Sequence, residues 1–370
     1  MSDNGGFTKA FGISNLIKNV SILDSIEYLI ENSIDAAEKS MSEILDKQYI
    51  INIIINEEKI TISDNCLGIT YDNAQKNLLK IGKKITFEDK WGEGLKKSMF
   101  VLGKYIDIKS ISNIDNFQLN IKIANENDEK LWRTRFTKLE KDEEESVGFS
   151  VEITQFTNKL KYYLRNKGIT TISDRLSIKY REIIKEGRIT IIFNGKILKP
   201  EFYTAKKVYE GKEKVIEGQK VKVILFNEIK NKKYNGVDFI FNDRVILEKD
   251  KSRNINWRKR IIIKNHSYTN FYAEVIVKST DIKRSGINPS HNNIDFNNEF
   301  IKKVINFFND EIDNNREYYK KATTIVQVEV AIEDLNSWKE QLEKYEGECR
   351  YANDVIEKLY KKGVNEIMKW

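Results

Sequence analysis

Between Ser21 and Ser40 the apolar residues Ile22, Ile26, Leu29, Ile30 and Ile34 recur at helical spacing, and Ser21 is placed to cap the first turn. The period then changes to two. Tyr49–Asn56 and Lys59–Asp64 read as strands joined by a Glu-Glu turn. The spacing predicts a helix over 71–81 and a Gly/Lys-rich loop from Gly82 to Gly94. It predicts a further helix from near Leu95 to Gly103, where glycine would supply a left-handed cap. Alternation from Tyr105 to Phe156 predicts strands, broken by acidic loops at 125–130 and 140–145. A mostly helical stretch over 160–187 follows, then strands at Arg188–Phe193, Lys220–Phe226, Val237–Phe241 and Tyr272–Lys278. From Glu299 onward the pattern is helical. Ile325, Val328, Ile332, Leu335, Trp338, Leu342 and Tyr345 advance as a packing seam does. Shifts of pattern near 158 and 298 divide the chain into expected domains 1–158, 159–298 and 299–370.

Composition narrows the class without naming a function. The 370 residues, 40% hydrophobic and 32% charged, have room for two ordinary domains and a helical extension, and exclude a disordered or fibrous chain. No apolar run approaches the roughly 20 residues that a bilayer span needs. The first residues lack the layout of a signal peptide, so a cytoplasmic location without membrane contact is expected. Cys66 and Cys349 are far apart and fit no metal-ligand spacing; two histidines make a His-based metal site unexpected. The net charge of +7 permits phosphate contacts without establishing them. Its one suggestive cluster is Arg253, Arg258, Lys259 and Arg260 around Trp257. That cluster reads either as a phosphate-contacting loop with a stacking ring or as a solvated basic turn before a strand.

Three segments carry the candidate chemistry. Glu31-Asn-Ser-Ile-Asp-Ala lies on the first helix, where the amide oxygen of Asn32 can ligate a Mg²⁺ that bridges nucleotide phosphates. Asp64 ends a strand, placed to accept from an adenine amino group, and Gly68 lets a base approach the backbone. In Trp91-Gly-Glu-Gly-Leu-Lys-Lys, Gly92 and Gly94 open into a helix whose N–H groups suit phosphate oxygens. Each segment alone is common in unrelated proteins. In this order, on helix, strand end and loop–helix, they point together to a nucleotide pocket.

These segments resemble the boxes of the gyrase/chaperone/kinase/MutL (GHKL) ATPases, and among them those of the microrchidia (MORC) branch and its prokaryotic relatives. Gly92–Gly103 is similar to the MORC pattern G-N-G-L-K-S-G-S-M-R-L-G. Gly236–Ile246 resembles that family's segment ending in N-R-L-I, and Pro289–Phe296 its P-T-H-N-K-Q-D-F. The resemblance spans about residues 10–300. It implies an α+β chain: a Bergerat ATP-binding α/β sandwich, an S5-like transducer domain, then C-terminal helices. It implies ATP and Mg²⁺ as cofactors and an ATP-dependent homodimer closing as a clamp. By residue it implies Asn32 for Mg²⁺ with Asp35 nearby, Asp64 for adenine, and Gly68 and Ile69 for the base's edge. Gly92, Gly94, Leu95 and Lys96 would hold the phosphates, with Lys83 and Lys84 in a lid-like loop.

The chain departs from the family where turnover is concerned. The general-base position, one turn before Asn32, is Tyr28, a phenol that ordinarily titrates at about 10 and suits an attacking water poorly. Glu27 and Glu31 flank it, each rotated by roughly 100° around the helix; Glu27 is the substitute candidate, acting through a water. The transducer lysine position is Asn293, with Lys283 and Arg284 just upstream. Cys66 replaces the first glycine of the adenine box. Gly148-Phe-Ser stands for Gly-Thr, so the expected hydroxyl is lost unless Ser150 replaces it. The expectation is therefore an ATP-gated clamp with weak or absent hydrolysis. DNA, a separate effector protein and antiviral defence are its candidate biology. An active ATPase with an unusual base and a chaperone-like GHKL protein are the alternatives.

Overall fold

The computed structural model describes residues 17–18, 20–41, 47–79, 91–123, 132–140, 145–227, 234–261, 271–279, 285–287, 293–316 and 318. The lid-like loop with Lys83 and Lys84, the upstream Lys283 and Arg284, and the seam 325–345 lie outside these residues. The chain divides into two compact units. The first comprises Met1–Phe202, Ile240–Leu247 and Lys278–Asp295; the second comprises Tyr203–Phe239, Glu248–Val277 and Phe296–Trp370.

In the first unit the period-two segments become an eight-stranded sheet. Its strands are β1 (Tyr49–Ile55), β2 (Lys59–Asp64), β3 (Gly103–Ile111), β4 (Asn116–Ile123), β5 (Trp132–Leu139), β6 (Gly148–Phe156), β7 (Ile189–Phe193) and β8 (Lys196–Ile197). The order is β5-β4-β3-β6-β2-β1-β7-β8. Neighbours are antiparallel except β1 and β7, which run parallel. Register decides which face is apolar. Ile53 opposite Ile62, Ile62 opposite Val151, and Ile108 opposite both Val151 and Leu119 form one buried layer. The alternate positions put Thr61, Glu152, Asp107 and Gln118 on the other face, as half-solvated antiparallel sheets do.

The apolar face is covered by α1 (Ile22–Met41), α2 (Trp91–Leu102) and α3 (Asn158–Lys179), which also pack on one another. Helix α1 starts with the Ser21 cap that its sequence foretells, made reciprocal by Asp24. The Asp24 N–H donates to Ser21 Oγ and the Ser21 N–H to Asp24 Oδ2, both at 3.0 Å. Thr157 joins two helix ends: its hydroxyl donates to the Val101 carbonyl at 2.7 Å and accepts from the Leu160 N–H at 3.3 Å. Helix α3 is broken at Gly168 (φ 76°, ψ 163°), and α4 (Arg181–Glu186) follows it.

Three expectations change. The helix over 71–81 is a single turn, Tyr71–Asn73, running into a π-turn at Ala74–Leu78. Helix α2 starts at Trp91, so Gly92 and Gly94 lie in its first turn and not in a preceding loop. Gly103 is not a left-handed cap; it begins β3, and a Cβ there would lie 2.5 Å from Ile153 Cγ2 and 2.6 Å from the Thr154 carbonyl oxygen. Close packing of β3 on β6 requires the glycine.

The second sheet has the order β10-β11-β14-β12-β13, with β9 paired to β11. These strands are β9 (Lys206–Glu210), β10 (Lys214–Ile216), β11 (Gln219–Asn227), β12 (Gly236–Phe241), β13 (Arg244–Asp250) and β14 (Tyr272–Lys278). The short α5 (Trp257–Ile261) and the amphipathic α6 (Glu299–Asn314) complete the described elements. Asn298 caps α6, its side chain accepting from the Phe300 and Ile301 N–H groups. No helix among the described residues is long and apolar enough to cross a membrane.

Gly103→Ala is expected to lower the thermal stability of the first unit, by about 1–3 kcal/mol as overpacking does. A melting temperature unchanged from wild type would contradict the close approach of β3 to β6.

Candidate functional site

Helix α1 is enclosed on most of its circumference, and its residues sort into three stripes. Ile22, Ile26, Leu29, Ile30 and Ile34 are buried in the core. Tyr28 and Asn32, one turn apart, form a second stripe. There Tyr28 meets α2: a Cβ on Gly94 would lie 3.2 Å from Tyr28 Cβ, so the glycine sets how closely the helices approach. Asn32 is half-buried, and no residue among those described hydrogen-bonds its side chain.

The third stripe is acidic: Glu27, Glu31, Asp35 and Glu38. Glu27, 1% exposed, accepts from Lys179 Nζ at 2.6 Å and Arg175 Nε at 3.0 Å, both on α3. Glu31 accepts from Arg244 Nε at 2.7 Å and from the Tyr180 hydroxyl at 3.0 Å, with Lys179 Nζ 3.4 Å away. Arg244 also donates from Nη2 to Asp35 at 3.0 Å and to Glu38 at 3.2 Å. Its Nη1 donates to Glu38 and to the Asn242 carbonyl, both at 2.9 Å. A guanidinium has five N–H groups, so every donor of Arg244 has an acceptor. Burial penalises its charge, but Glu31, Glu38 and Asp35 more than offset that, and its pKa is raised well above the ordinary value. Burial, then the charges of Glu31 and Glu27, likewise hold the Tyr180 phenol well above its usual range.

This network bears on two expectations. Glu27, the candidate base, is enclosed against two cations, and Asp35, expected beside the nucleotide, is an ion-pair partner of Arg244. The acidic spacing i, i+4, i+8, i+11 was visible in the sequence as a stripe, as was the Arg175/Lys179 spacing of one turn. Nothing local announces that Arg244, more than two hundred residues further on, completes it.

At the end of β2, Asp64 shares a sheet face with Ile60 and Ile62. Its Oδ1 accepts from the Cys66 N–H at 3.0 Å, and Ser33, the residue after Asn32, also hydrogen-bonds the carboxyl. Burial is the largest influence on Asp64 and raises its pKa above 3.8, against the lowering effect of these hydrogen bonds. Cys66 is buried with Sγ 3.8 Å from the Ser33 carbonyl oxygen, and burial pushes its thiol pKa up. Its side chain thus fills the space beside the α1 backbone that a glycine would leave.

Gly68 has φ 68°, and a Cβ there would lie 2.3 Å from the Ile111 carbonyl oxygen. The glycine is therefore required by the protein's own backbone, apart from any base. The next residue, Ile69, is fixed by one hydroxyl: Ser110 Oγ accepts from its N–H at 2.7 Å and donates to its carbonyl at 2.9 Å. The Tyr71 N–H donates to Asp115 Oδ1 at 2.9 Å, which anchors the far end of this loop.

Gly92 and Gly94 occupy the first turn of α2, where backbone N–H groups lack intrahelical acceptors and favour an anion. Leu95 and Lys96, expected to touch phosphate, are each 2% exposed and enclosed one step further along the helix. Lys83 lies outside the described residues. Ser150 cannot supply the missing hydroxyl: it pairs with Ser63, whereas Phe149 pairs with Asp64, so the Ser150 side chain leaves by the opposite sheet face. Asn293 accepts from the neighbouring Ile294 N–H at 2.8 Å, beside the bridge between Ile287 and Ile294.

In the second unit the basic cluster is corrected at its centre. Trp257 is 0% exposed, stacked on Phe271 at 4.6 Å between centroids, with Nε1 donating to the Asp250 carbonyl at 3.1 Å. It is a core residue, unable to stack on a base. Arg260 pairs with Asp313 of α6, and Arg253 is exposed. The side chains of Arg258 and Lys259 lie outside the described residues.

Lys179→Met should destabilise the first unit by about 3–5 kcal/mol, because it leaves Glu27 buried beside one cation fewer. Adding Glu27→Gln should recover part of that loss in thermal melts. Asp64→Asn should act oppositely. The raised pKa means that the folded state holds the Asp64 proton more tightly, so its stabilising contribution is complete below pH 3.8 and is lost as the pH rises through the raised value. The variant should therefore gain melting temperature over wild type at pH 8, with the gain shrinking as the pH falls.

No curated protein matches the chain. Residues 21–150 match the family model for histidine kinase-, DNA gyrase B- and HSP90-like ATPases. That stretch holds α1, the sheet from β1 to the start of β6 and the glycine-led α2. The match and the mixed sheet backed by helices support a GHKL-superfamily, nucleotide-binding ATPase domain in the first unit.

Proposed function

We propose that the first unit binds MgATP and hydrolyses it slowly or not at all, so that occupancy of the pocket, more than turnover, is its output. The observation that carries this reading is the arrangement around Tyr28. The phenol stands one turn before Asn32, and the carboxylates on either side of it in the helix sequence, Glu27 and Glu31, are committed to Lys179, Arg175 and Arg244. Their oxygens already accept from these cations and from the Tyr180 hydroxyl, so neither carboxylate is placed to orient an attacking water.

The residues present fit the nucleotide. Asp64 has a carboxyl oxygen for an adenine amino group, and its loop is held by Ser110 and Asp115. The first turn of α2 offers N–H groups for phosphate oxygens. The half-buried Asn32 has an amide oxygen that no described residue uses, suited to a Mg²⁺ shared with phosphates. Bound Mg²⁺ would neutralise phosphate charge; the protein's part is to hold the base, orient the phosphates and keep water from being activated.

The MORC-like segments at 236–246 and 289–296 favour an ATP-gated homodimer, in which differential affinity of ATP for the closed state drives association. Sizing with and without a nonhydrolysable ATP analogue tests that part, and a monomer in both would end it.

Calorimetric titration with ATP and ADP, with and without Mg²⁺, tests the pocket independently of turnover. Wild type is expected to bind both. Asp64→Asn should weaken both by about tenfold or more, roughly 1.4 kcal/mol. Tyr28→Glu should raise phosphate release above wild type. Brisk phosphate release by wild type, unaffected by Asn32→Ala, would overturn the proposal.

A further inference from the structure

We propose that Arg244 is a positioning residue for Asn32: it fixes the rotation of α1 and so places the Mg²⁺-binding amide. The inference rests on the MgATP reading above. Its starting point is that the apolar stripe of α1 is nearly all isoleucine and leucine, whose packing makes no directional bonds. The acidic stripe does make them. The planar guanidinium of Arg244 engages Glu31, Asp35 and Glu38 together, along about two turns of helix, with each N–H group aimed at one acceptor.

Glu31 is the residue immediately before Asn32. Its carboxylate is gripped from two elements, by Arg244 Nε at 2.7 Å and by the Tyr180 hydroxyl of the α3–α4 junction at 3.0 Å. With Glu31 held, Asn32 is set roughly 100° further around the helix, on the stripe where Tyr28 meets Gly94. Arg244 is itself held: its Nη1 donates to the Asn242 carbonyl, and Asn242 bonds Ser279 through both ends of its amide, at 2.9 Å each. The segment carrying Arg244 is thereby an external reference for the angle of α1.

Asp64 touches α1 only through one Ser33 hydrogen bond among the described residues, and so depends far less on this clamp. It is placed by β2 and by the Cys66 N–H. Loss of the clamp should therefore separate two parts of nucleotide affinity. The part carried by adenine persists, and the part carried by Mg²⁺ and phosphate falls. Lysine retains the charge of Arg244 but has one ammonium in place of a five-donor fork, so it cannot orient three carboxylates at once.

The experiment is calorimetric titration of the full chain with adenosine, with ATP alone and with MgATP, on wild type, Arg244→Lys, Asn32→Ala and the double variant. Arg244→Lys is expected to lose about tenfold of the Mg²⁺-dependent gain in ATP affinity. Its adenosine affinity should stay within about twofold of wild type. The double variant should bind MgATP no more weakly than Asn32→Ala alone, because both act through one amide. Parallel loss of adenosine and MgATP affinity would show a structural role only, and an unchanged Mg²⁺ gain would likewise overturn the proposal. Should Arg244→Lys fail to fold, Glu38→Gln at the more exposed end of the clamp replaces it. That variant is expected to lose a smaller share of the Mg²⁺ gain, and no loss at all would count against the clamp. Wild type that binds none of the three ligands would sink the MgATP reading itself, an outcome distinct from each of these.

Discussion

Burying the face of a helix that carries Glu27 and Glu31, with Asp35 and Glu38 at its more exposed end, is costly unless cations come with it, and this requirement shapes the first unit. Lys179 and Arg175 arrive from α3, and Arg244 arrives from the segment Ile240–Leu247. Because Lys179 and Arg244 are themselves buried, neither charge set is tolerable without the other. Such clusters seldom add much net stability over a well-packed apolar equivalent. Their strength is geometric: fixed donors and acceptors admit one relative setting of the elements, where an apolar seam admits several. Helix α1 is thus both a wall of the core and the carrier of the candidate Mg²⁺ ligand.

The same economy appears around Asp64. A raised carboxyl pKa records a group drawn partly out of water, with Ser33 and the Cys66 N–H recovering some of the cost. Around it the loop has little freedom. Gly68 is pressed against the Ile111 carbonyl, Ser110 grips both backbone groups of Ile69, and Asp115 holds Tyr71. In the proposed MgATP reading, the Asp64 carboxyl would meet a purine amino group from a loop already held in place. On the phosphate side Tyr28 packs on Gly94 where the GHKL resemblance would put a carboxylate. The contact fills space, and the carboxylates next to it on the helix, Glu27 and Glu31, are held in ion pairs.

The basic cluster near Trp257 shows how charge composition misleads. Four basic residues around a tryptophan look like a surface for phosphates and bases, yet the ring is fully enclosed. Its indole N–H is used by the Asp250 carbonyl, and Arg260 by Asp313. The tryptophan is there to stack on Phe271 and anchor a short helix.

The sequence by itself determined most of the elements and the order of the three segments, because both depend on local chemistry. Period three-to-four and period two separate α1 from β1 and β2. The Ser21 cap and Asp64 at a strand end are legible from neighbours a few residues away, whereas the glycines before Leu95 read as loop and lie in the first turn of α2. Tyr28 in place of a carboxylate could also be read directly. Tertiary structure alone decided which carboxylates are available for chemistry. Glu27, Glu31 and Asp35 look alike in the sequence, and only the approach of Lys179 and Arg244 turns them into fixed ion-pair partners. The same holds for Gly103, whose role is set by β6, and for Ser150, whose side chain is sent to the wrong face by strand register. Contacts between residues far apart in the chain leave no local pattern, because the energy that selects them is that of burying and pairing groups in space.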